Sequence, residues 1–170
     1  DVAAAMGPGL NAKERTVQQK IVPCLWFDGQ AEEATRYYVS VFEDAEILDI
    51  HRIGDEGQVL TTSFRIAGQE YMALNGGPGF RFSEATSFFV RCADQEEVDY
   101  FWNKLTADGG EESQCGWLKD KFGLSWQVTP RRLIELTTGP DQARNARVFA
   151  AMMKMVKIDI AELERAARGD

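Results

Sequence analysis

The single histidine of the chain, His51, is the first residue to consider for chemistry. Its imidazole titrates near neutral pH, which suits it to general acid–base catalysis. In Asp49-Ile50-His51, strand alternation places Asp49 and His51 on one face, so a carboxylate lies on the same side. Strand residues two apart stand about 7 Å from each other, too far for a direct hydrogen bond. Two interpretations of His51 therefore stay open, a proton-transfer residue and a surface histidine.

Other charged residues also invite a chemical interpretation. Arg65 and Arg91 on predicted strands could anchor a carboxylate or phosphate, or each could pair with a nearby acid. The duplicated pairs Glu32-Glu33 and Glu96-Glu97 could suggest acid–base work. They fall in the first turn of predicted helices, where the helix dipole stabilises negative charge, so we interpret them as structural. No nucleophile paired with a base is evident.

The elements that position these residues come in two similar copies. The segment Leu25–Tyr38 returns as Phe89–Trp102, and each copy joins an apolar run, a turn with two glutamates and an amphipathic helix. In the first module we predict a strand at 21–28, a helix at 31–42 and strands at 47–53, 59–66 and 69–75. In the second we predict a strand at 87–92, a helix at 95–106 and strands at 111–114, 116–120 and 124–129.

The domain organisation follows from this repeat. We expect a flexible leader at 1–20, a first βαβββ module at 21–76, a loop at 77–86, a second βαβββ module at 87–130 and a helical segment at 131–170. Pro140 and Asp159 signal helix starts in the last segment. Its apolar stripe indicates packing or a dimer contact, and it contains Val148, Met152, Met155 and Val156.

Composition limits the partners. The chain has 170 residues, a formal net charge of −8 and no cluster of basic residues with interleaved aromatics, so nucleic acid and anionic membranes are disfavoured. No apolar run approaches the roughly 18 residues of a membrane span. Cys24, Cys92 and Cys115 form no Cys-x-x-Cys pair, which favours a reducing cytoplasmic location and small buried side chains.

Several ordered motifs resemble a known family. They are Pro23–Gly29, Ala73–Pro78, Gln114–Asp120 with Gly123 and Trp126-Gln127, and Met153–Ile160. Together they resemble the PhnB-like branch of the vicinal oxygen chelate superfamily, often labelled 3-demethylubiquinone-9 3-methyltransferase. The resemblance implies an α+β fold in which two βαβββ modules form a U-shaped mixed sheet around a cleft, with C-terminal helices, in a homodimer.

The resemblance also implies where metal ligands would stand. In the metalloenzymes of the superfamily, His, Glu and sometimes Gln ligands occupy positions that here hold Pro23, Ala73 (or Met72), Ser87 and Gln127. Only Gln127 has a side chain that can coordinate a metal, and a catalytic metal site needs about three protein ligands. We therefore predict neither a metal nor another cofactor.

Methyl transfer is disfavoured on similar grounds. A typical S-adenosylmethionine site has a glycine-rich turn between a strand and a helix. The loop at 75–79 is glycine-rich but leads towards another predicted strand. Its composition favours a connection between modules that could cover the cleft.

If the first strand of each module keeps the face that holds ligands in relatives, the cleft has aromatic walls. The predicted ligand-binding residues are Leu25, Phe27, Ser63, Arg65, Asn75, Phe89, Arg91 and Gln127, with His51 as the catalytic candidate. An apolar pocket with a few polar groups is typical of a small-molecule site. We therefore predict a metal-free protein that binds a hydrophobic or aromatic metabolite. The alternative is an enzyme of the glyoxalase/dioxygenase type, either metal-dependent or using His51 as a base.

Overall fold

The computed structural model describes residues 19–170, so nearly all of the expected leader at 1–20 lies outside the described residues. The chain divides into two compact units. The first contains the described residues up to Leu25 together with Ala31–Asn75, and the second contains Trp26–Gln30 and Gly76–Asp170. The division falls inside the first strand.

The first repeat has the order strand, helix, strand, strand, strand. Its elements are β1 (Cys24–Phe27), α1 (Ala31–Val41), β2 (Ala45–Ile53), β3 (Gln58–Ile66) and β4 (Gln69–Asn75). The strands form a sheet in the order β1-β4-β3-β2, in which β3 pairs antiparallel with both neighbours. Helix α1 buries Ala34 and Tyr38 at helical spacing, and Thr35 on the same side shares a 2.5 Å hydrogen bond with Thr62 of β3.

The second repeat has the same order with shorter late strands. Its elements are β5 (Ser87–Cys92), α2 (Gln95–Thr106), β6 (Glu111–Glu112), β7 (Trp117–Lys119) and β8 (Ser125–Pro130). The sheet order is β5-β8-β7-β6, with β5 and β8 parallel and the other pairs antiparallel.

Helix α2 begins with a reciprocal cap. The Asp94 carboxylate accepts a hydrogen bond from the Glu97 backbone N–H, and the Glu97 carboxylate accepts one from the Ala93 N–H. Glu96 and Glu97 thus stand in the first turn, as Glu32 and Glu33 do in α1. The predicted first-turn position of both glutamate pairs is confirmed.

Three helices close the chain: α3 (Arg131–Thr137), α4 (Gln142–Met152) and α5 (Ile160–Arg168). Their buried cluster consists of Leu133, Leu136, Val148, Ile158 and Leu163, with Met152 and Met155 packed against it. Packing is therefore confirmed for three residues of the apolar stripe, whereas Val156 is partly exposed. Homodimer formation stays a prediction.

The α+β class and the two βαβββ repeats are confirmed, and the differences are local. β1 begins at Cys24 instead of residue 21, because Pro23 has no N–H to extend a ladder. Helix α4 begins after Asp141, whose carboxylate caps the Arg144 N–H, rather than at Pro140. In residues 19–170 no helix is both long and apolar enough to cross a membrane.

Candidate ligand-binding site

The second unit contains a pocket of about 610 Å³. Four chain segments line it: the end of β1 with the turn after it (26–30), the loop at 78–82, residues 109–111 around the start of β6, and the turn at 119–123 between β7 and β8. A volume of this size is typical of sites for small organic molecules.

Aromatic rings make up the apolar part of the wall. The ring centroids of Phe27 and Phe82 lie 5.4 Å apart, and those of Phe27 and Phe122 lie 5.8 Å apart, both edge to face. Trp26 and Phe80 meet in the same way at 4.9 Å. These separations are those at which aromatic pairs stabilise one another. Phe27 is buried, whereas Phe80 is 69% exposed and presents much of its ring to solvent.

Trp26 holds the loop that carries Phe80 and Phe82. Its indole Nε1 donates a 2.9 Å hydrogen bond to the Gly77 carbonyl oxygen. A Cβ atom at Gly76 would come within 2.2 Å of the Trp26 ring, so this position requires glycine. The Gly76 N–H also donates to the Phe27 carbonyl oxygen over 3.0 Å. The loop is therefore fixed to the end of β1 by both backbone and side-chain contacts.

The turn between β7 and β8 is organised by a buried carboxylate. Asp120 is 2% exposed, and its Oδ1 accepts hydrogen bonds from the Phe122 and Leu124 backbone N–H groups. Its Oδ2 accepts a 2.9 Å bond from the Trp126 indole. A buried carboxylate with several donors is stabilised in its charged form. Asp120 therefore shapes the pocket turn, and the contact gives Asp120 and Trp126 of the sequence motif a structural role.

Three cations border the pocket, and they differ in the contacts they make within the protein. Lys119 forms a 2.6 Å ion pair with Glu84, and this hydrogen bond lowers the pKa of Glu84 and raises that of Lys119. The Lys121 ammonium lies 5.3 Å from the centroid of the Phe122 ring. Arg81 is exposed and forms no ion pair with any residue in 19–170. Within residues 19–170, no carboxylate therefore offsets the charge of Arg81 by direct pairing.

Of the residues predicted from the sequence, Phe27 lines this pocket and the others do not. Phe89 and Arg91 of β5 lie on the same sheet face as Gln127, since Phe89 stands opposite Gln127 in the parallel register. The register continues through β7 and β6, so Lys119 and Glu111 of the pocket border belong to that face as well. The predicted residues of β5 and β8 therefore share a surface with one side of the pocket.

The predicted residues of the first sheet have other surroundings. Ser63 stands opposite Asp49, and His51 stands opposite Thr61, so the expected alternation of Asp49 and His51 holds. Arg65 of β3 forms an ion pair with Glu46 of β2. His51 is exposed. Its role in catalysis stays a prediction.

Two further predicted residues of this unit have structural contacts. Leu25 is 5% exposed and belongs to the hydrophobic core. The Asn75 Oδ1 accepts a 2.8 Å hydrogen bond from the Ala31 N–H at the start of α1, and its Nδ2 donates to the Val59 carbonyl oxygen. Asn75 thereby ties α1 to the ends of two strands.

The residues at the implied metal positions do not fit a divalent ion. Pro23 and Ala73 have no side-chain donor atom, and the Gln127 Nε2 donates a 2.9 Å hydrogen bond to the Ser87 Oγ. Across residues 19–170 there is no group of three or more His, Cys, Asp or Glu side chains arranged to hold a metal.

Sequence reasoning missed most of the pocket. Trp26, Phe80, Phe82 and Phe122 were not among the predicted binding residues. One signal was present in the sequence: Phe80-Arg81-Phe82 follows a glycine-rich loop, so two aromatic rings flank a cation directly after a flexible segment. That pattern can place both rings and the charge at one site.

The topology first defines the class. The chain is an α+β protein built by duplication. It has two βαβββ repeats, the first and last strands of the second repeat pair in parallel, and a pocket lies beside them. The family follows from comparison with known proteins. The model of the 3-demethylubiquinone-9 3-methyltransferase family matches residues 19–129. The chain therefore belongs to that family.

Solved structures agree with this assignment. The chain is 36% identical to the PhnB protein from Bacillus cereus, with 66% of this chain and 99% of that one covered and a TM-score of 0.61. It is 19% identical to protein PA1353 from Pseudomonas aeruginosa, with coverage of 66% and 98% and a TM-score of 0.56, which shows the fold alone. None of the curated proteins compared matches the chain.

Proposed function

We propose that this protein binds a small aromatic or hydrophobic metabolite in the pocket of its second unit, without a metal ion. The observation that carries the proposal is the aromatic wall formed by Trp26, Phe27, Phe80, Phe82 and Phe122 around a volume of about 610 Å³. Flat rings fit such a wall through edge-to-face and stacked contacts, and burial of the ligand's apolar surface supplies most of the affinity.

The architecture of the site supports binding by a preformed pocket. The loop at 76–82 is fixed by the Trp26 indole, and the turn at 119–123 by the Asp120 carboxylate. Because both walls are held by hydrogen bonds within the protein, little conformational freedom is lost when a ligand enters. Phe80 is the exposed exception and offers a ring surface that a ligand can cover.

Methyl transfer, the activity in the family's name, receives no support from this site. The glycine-rich loop after β4 leads to β5 and not to a helix, so the helix N-terminus that receives a nucleotide cofactor in doubly wound sheets is not formed there. The same pocket instead supplies aromatic rings and charged groups that can recognise a ligand.

The proposal is tested by isothermal titration of the protein, prepared with and without chelator, with a panel of one- and two-ring aromatic metabolites. We expect micromolar binding by at least some of them, unchanged by the chelator. A pocket that binds none of the panel would contradict the proposal. Affinity that disappears after chelation and returns with a divalent ion would contradict its metal-free part.

A further inference from the structure

The charges around the pocket indicate which aromatic molecules it takes. This step rests on the proposed function, because it concerns the ligand of the same pocket. The pocket border contains Arg81, Lys119 and Lys121 as cations and Asp28, Glu111 and Asp120 as carboxylates. Their availability to a ligand differs, since some are already committed to partners within the protein.

Two of these charges, on Asp120 and Lys119, are already engaged within the protein. The Asp120 carboxylate is buried and accepts three hydrogen bonds from backbone and indole N–H groups. Lys119 is paired with Glu84, and Glu111 adds a further negative charge beside it. A charge that is already paired attracts a ligand only weakly, because its field is largely offset.

Arg81 is different in both position and state. It lies between Phe80, whose ring contacts Trp26, and Phe82, whose ring contacts Phe27, so both of its chain neighbours contact the end of β1. It has no ion pair among residues 19–170, although the chain carries a formal net charge of −8 and carboxylates are abundant. A guanidinium beside aromatic walls presents a planar fork of donors that matches a carboxylate.

We propose that the pocket recognises an aromatic monoanion, with the ring against the aromatic wall and its carboxylate or a similar acidic group on Arg81. Asp28 and Glu111 on the same border disfavour a second negative charge elsewhere on the ligand. The ligand class is therefore an aromatic carboxylic acid with a single charged group, rather than a neutral ring or a dianion.

Matched ligand pairs test this directly. Titration calorimetry compares 1-naphthoate and benzoate with naphthalene-1-carboxamide and benzamide, which keep the shape but lose the charge. We expect each carboxylate to bind about tenfold more tightly than its amide, as one charge-assisted contact at an exposed site allows. Raising the salt concentration is expected to reduce that preference, because exposed charges are screened.

Two variants assign the effect to one residue. Arg81→Gln is expected to remove the preference for the carboxylate while leaving amide affinity unchanged. Arg131→Gln is the matched control, because Arg131 is an exposed arginine of the same unit that does not line the pocket. It removes the same charge and is expected to keep the preference.

The outcomes separate this inference from the proposed function. Equal binding of carboxylates and amides, or an equal effect of the two arginine variants, overturns the role of Arg81 and leaves the aromatic pocket standing. Failure of the acids and the amides alike to bind overturns the pocket itself, and the ligand class with it.

Discussion

The Trp26 indole donates a hydrogen bond of 2.9 Å to the carbonyl oxygen of Gly77, and through it the end of the first strand fixes the loop that carries two of the five aromatic residues of the pocket. The contact leaves no room for a side chain at the neighbouring glycine, Gly76. These contacts therefore join the end of β1 to Gly76-Gly77 and to the loop that carries the two phenylalanines.

Replacement of Gly76 tests that relationship. In Gly76→Ala the new Cβ would lie 2.2 Å from the Trp26 ring, so the ring or the loop must move. We expect a loss of about 1–3 kcal/mol in the free energy of unfolding and an altered tryptophan emission spectrum. Gly79→Ala is the control, since a Cβ added there would meet no atom within 4 Å beyond its chain neighbours. Equal stability of the two variants would show that the indole does not fix the loop.

Replacement of Asp120 tests the second wall. In Asp120→Asn the amide has one acceptor oxygen where the carboxylate has two, so either the Trp126 indole or the turn N–H groups lose their partner. We expect a loss of about 2 kcal/mol in the free energy of unfolding, measured by urea titration. Asp28→Asn, an exposed change at the same pocket, should stay within about 0.5 kcal/mol of wild type. A neutral effect of Asp120→Asn would contradict the organising role of that carboxylate.

The Glu84–Lys119 ion pair leads to a prediction about the affinity for a negatively charged ligand. This prediction depends on the Arg81 proposal. At pH 7 both groups are ionised, because their hydrogen bond lowers the pKa of Glu84 and raises that of Lys119. Glu84→Gln removes the offsetting charge and should raise the affinity for 1-naphthoate roughly twofold to fivefold, as calorimetry at low salt can measure. Glu96→Gln on α2 is the charge-matched control. A similar gain in both variants would mean that only net charge matters.

The cysteines differ in expected reactivity. Burial is the main cause that raises the pKa of Cys92 to about 12, with the Glu97 carboxylate adding to it, so its thiol stays protonated through pH 9. Cys24 is exposed. Timed iodoacetamide labelling at pH 8 followed by peptide mass spectrometry should modify Cys24 well before Cys92. Comparable rates in the folded protein would show that the core around Cys92 opens readily.

The repeat made much of the fold predictable. Both strand–helix units follow from apolar spacing, and the bounds of β4, β5 and α2 match the predicted ranges because turns or caps mark their ends. The sequence could not show which side chains of β1 border a site. Leu25, Trp26 and Phe27 are all apolar, and the successive residues Trp26 and Phe27 both line the pocket although alternation assigns them to opposite faces of β1, so alternation alone does not predict the lining.

The pocket escaped prediction for a related reason. The contacts of Phe80 with Trp26 and of Phe122 with Phe27 join residues far apart in the chain. Local pattern indicates a flexible loop at 76–82, whereas the structure fixes it through a tertiary hydrogen bond and a close ring contact. The ion pair of Lys119 with Glu84 is likewise invisible in local sequence.

Binding by two phenylalanine variants tests the central claim most directly. Phe80 lines the pocket and is 69% exposed, and Phe149 on α4 is 55% exposed and does not line it, so alanine at either position leaves the buried core intact. Titration with the tightest aromatic ligand of the wild-type protein should show about tenfold weaker binding to Phe80→Ala and unchanged binding to Phe149→Ala. Equal affinity of both variants and the wild type would contradict the assignment of this pocket as the ligand site.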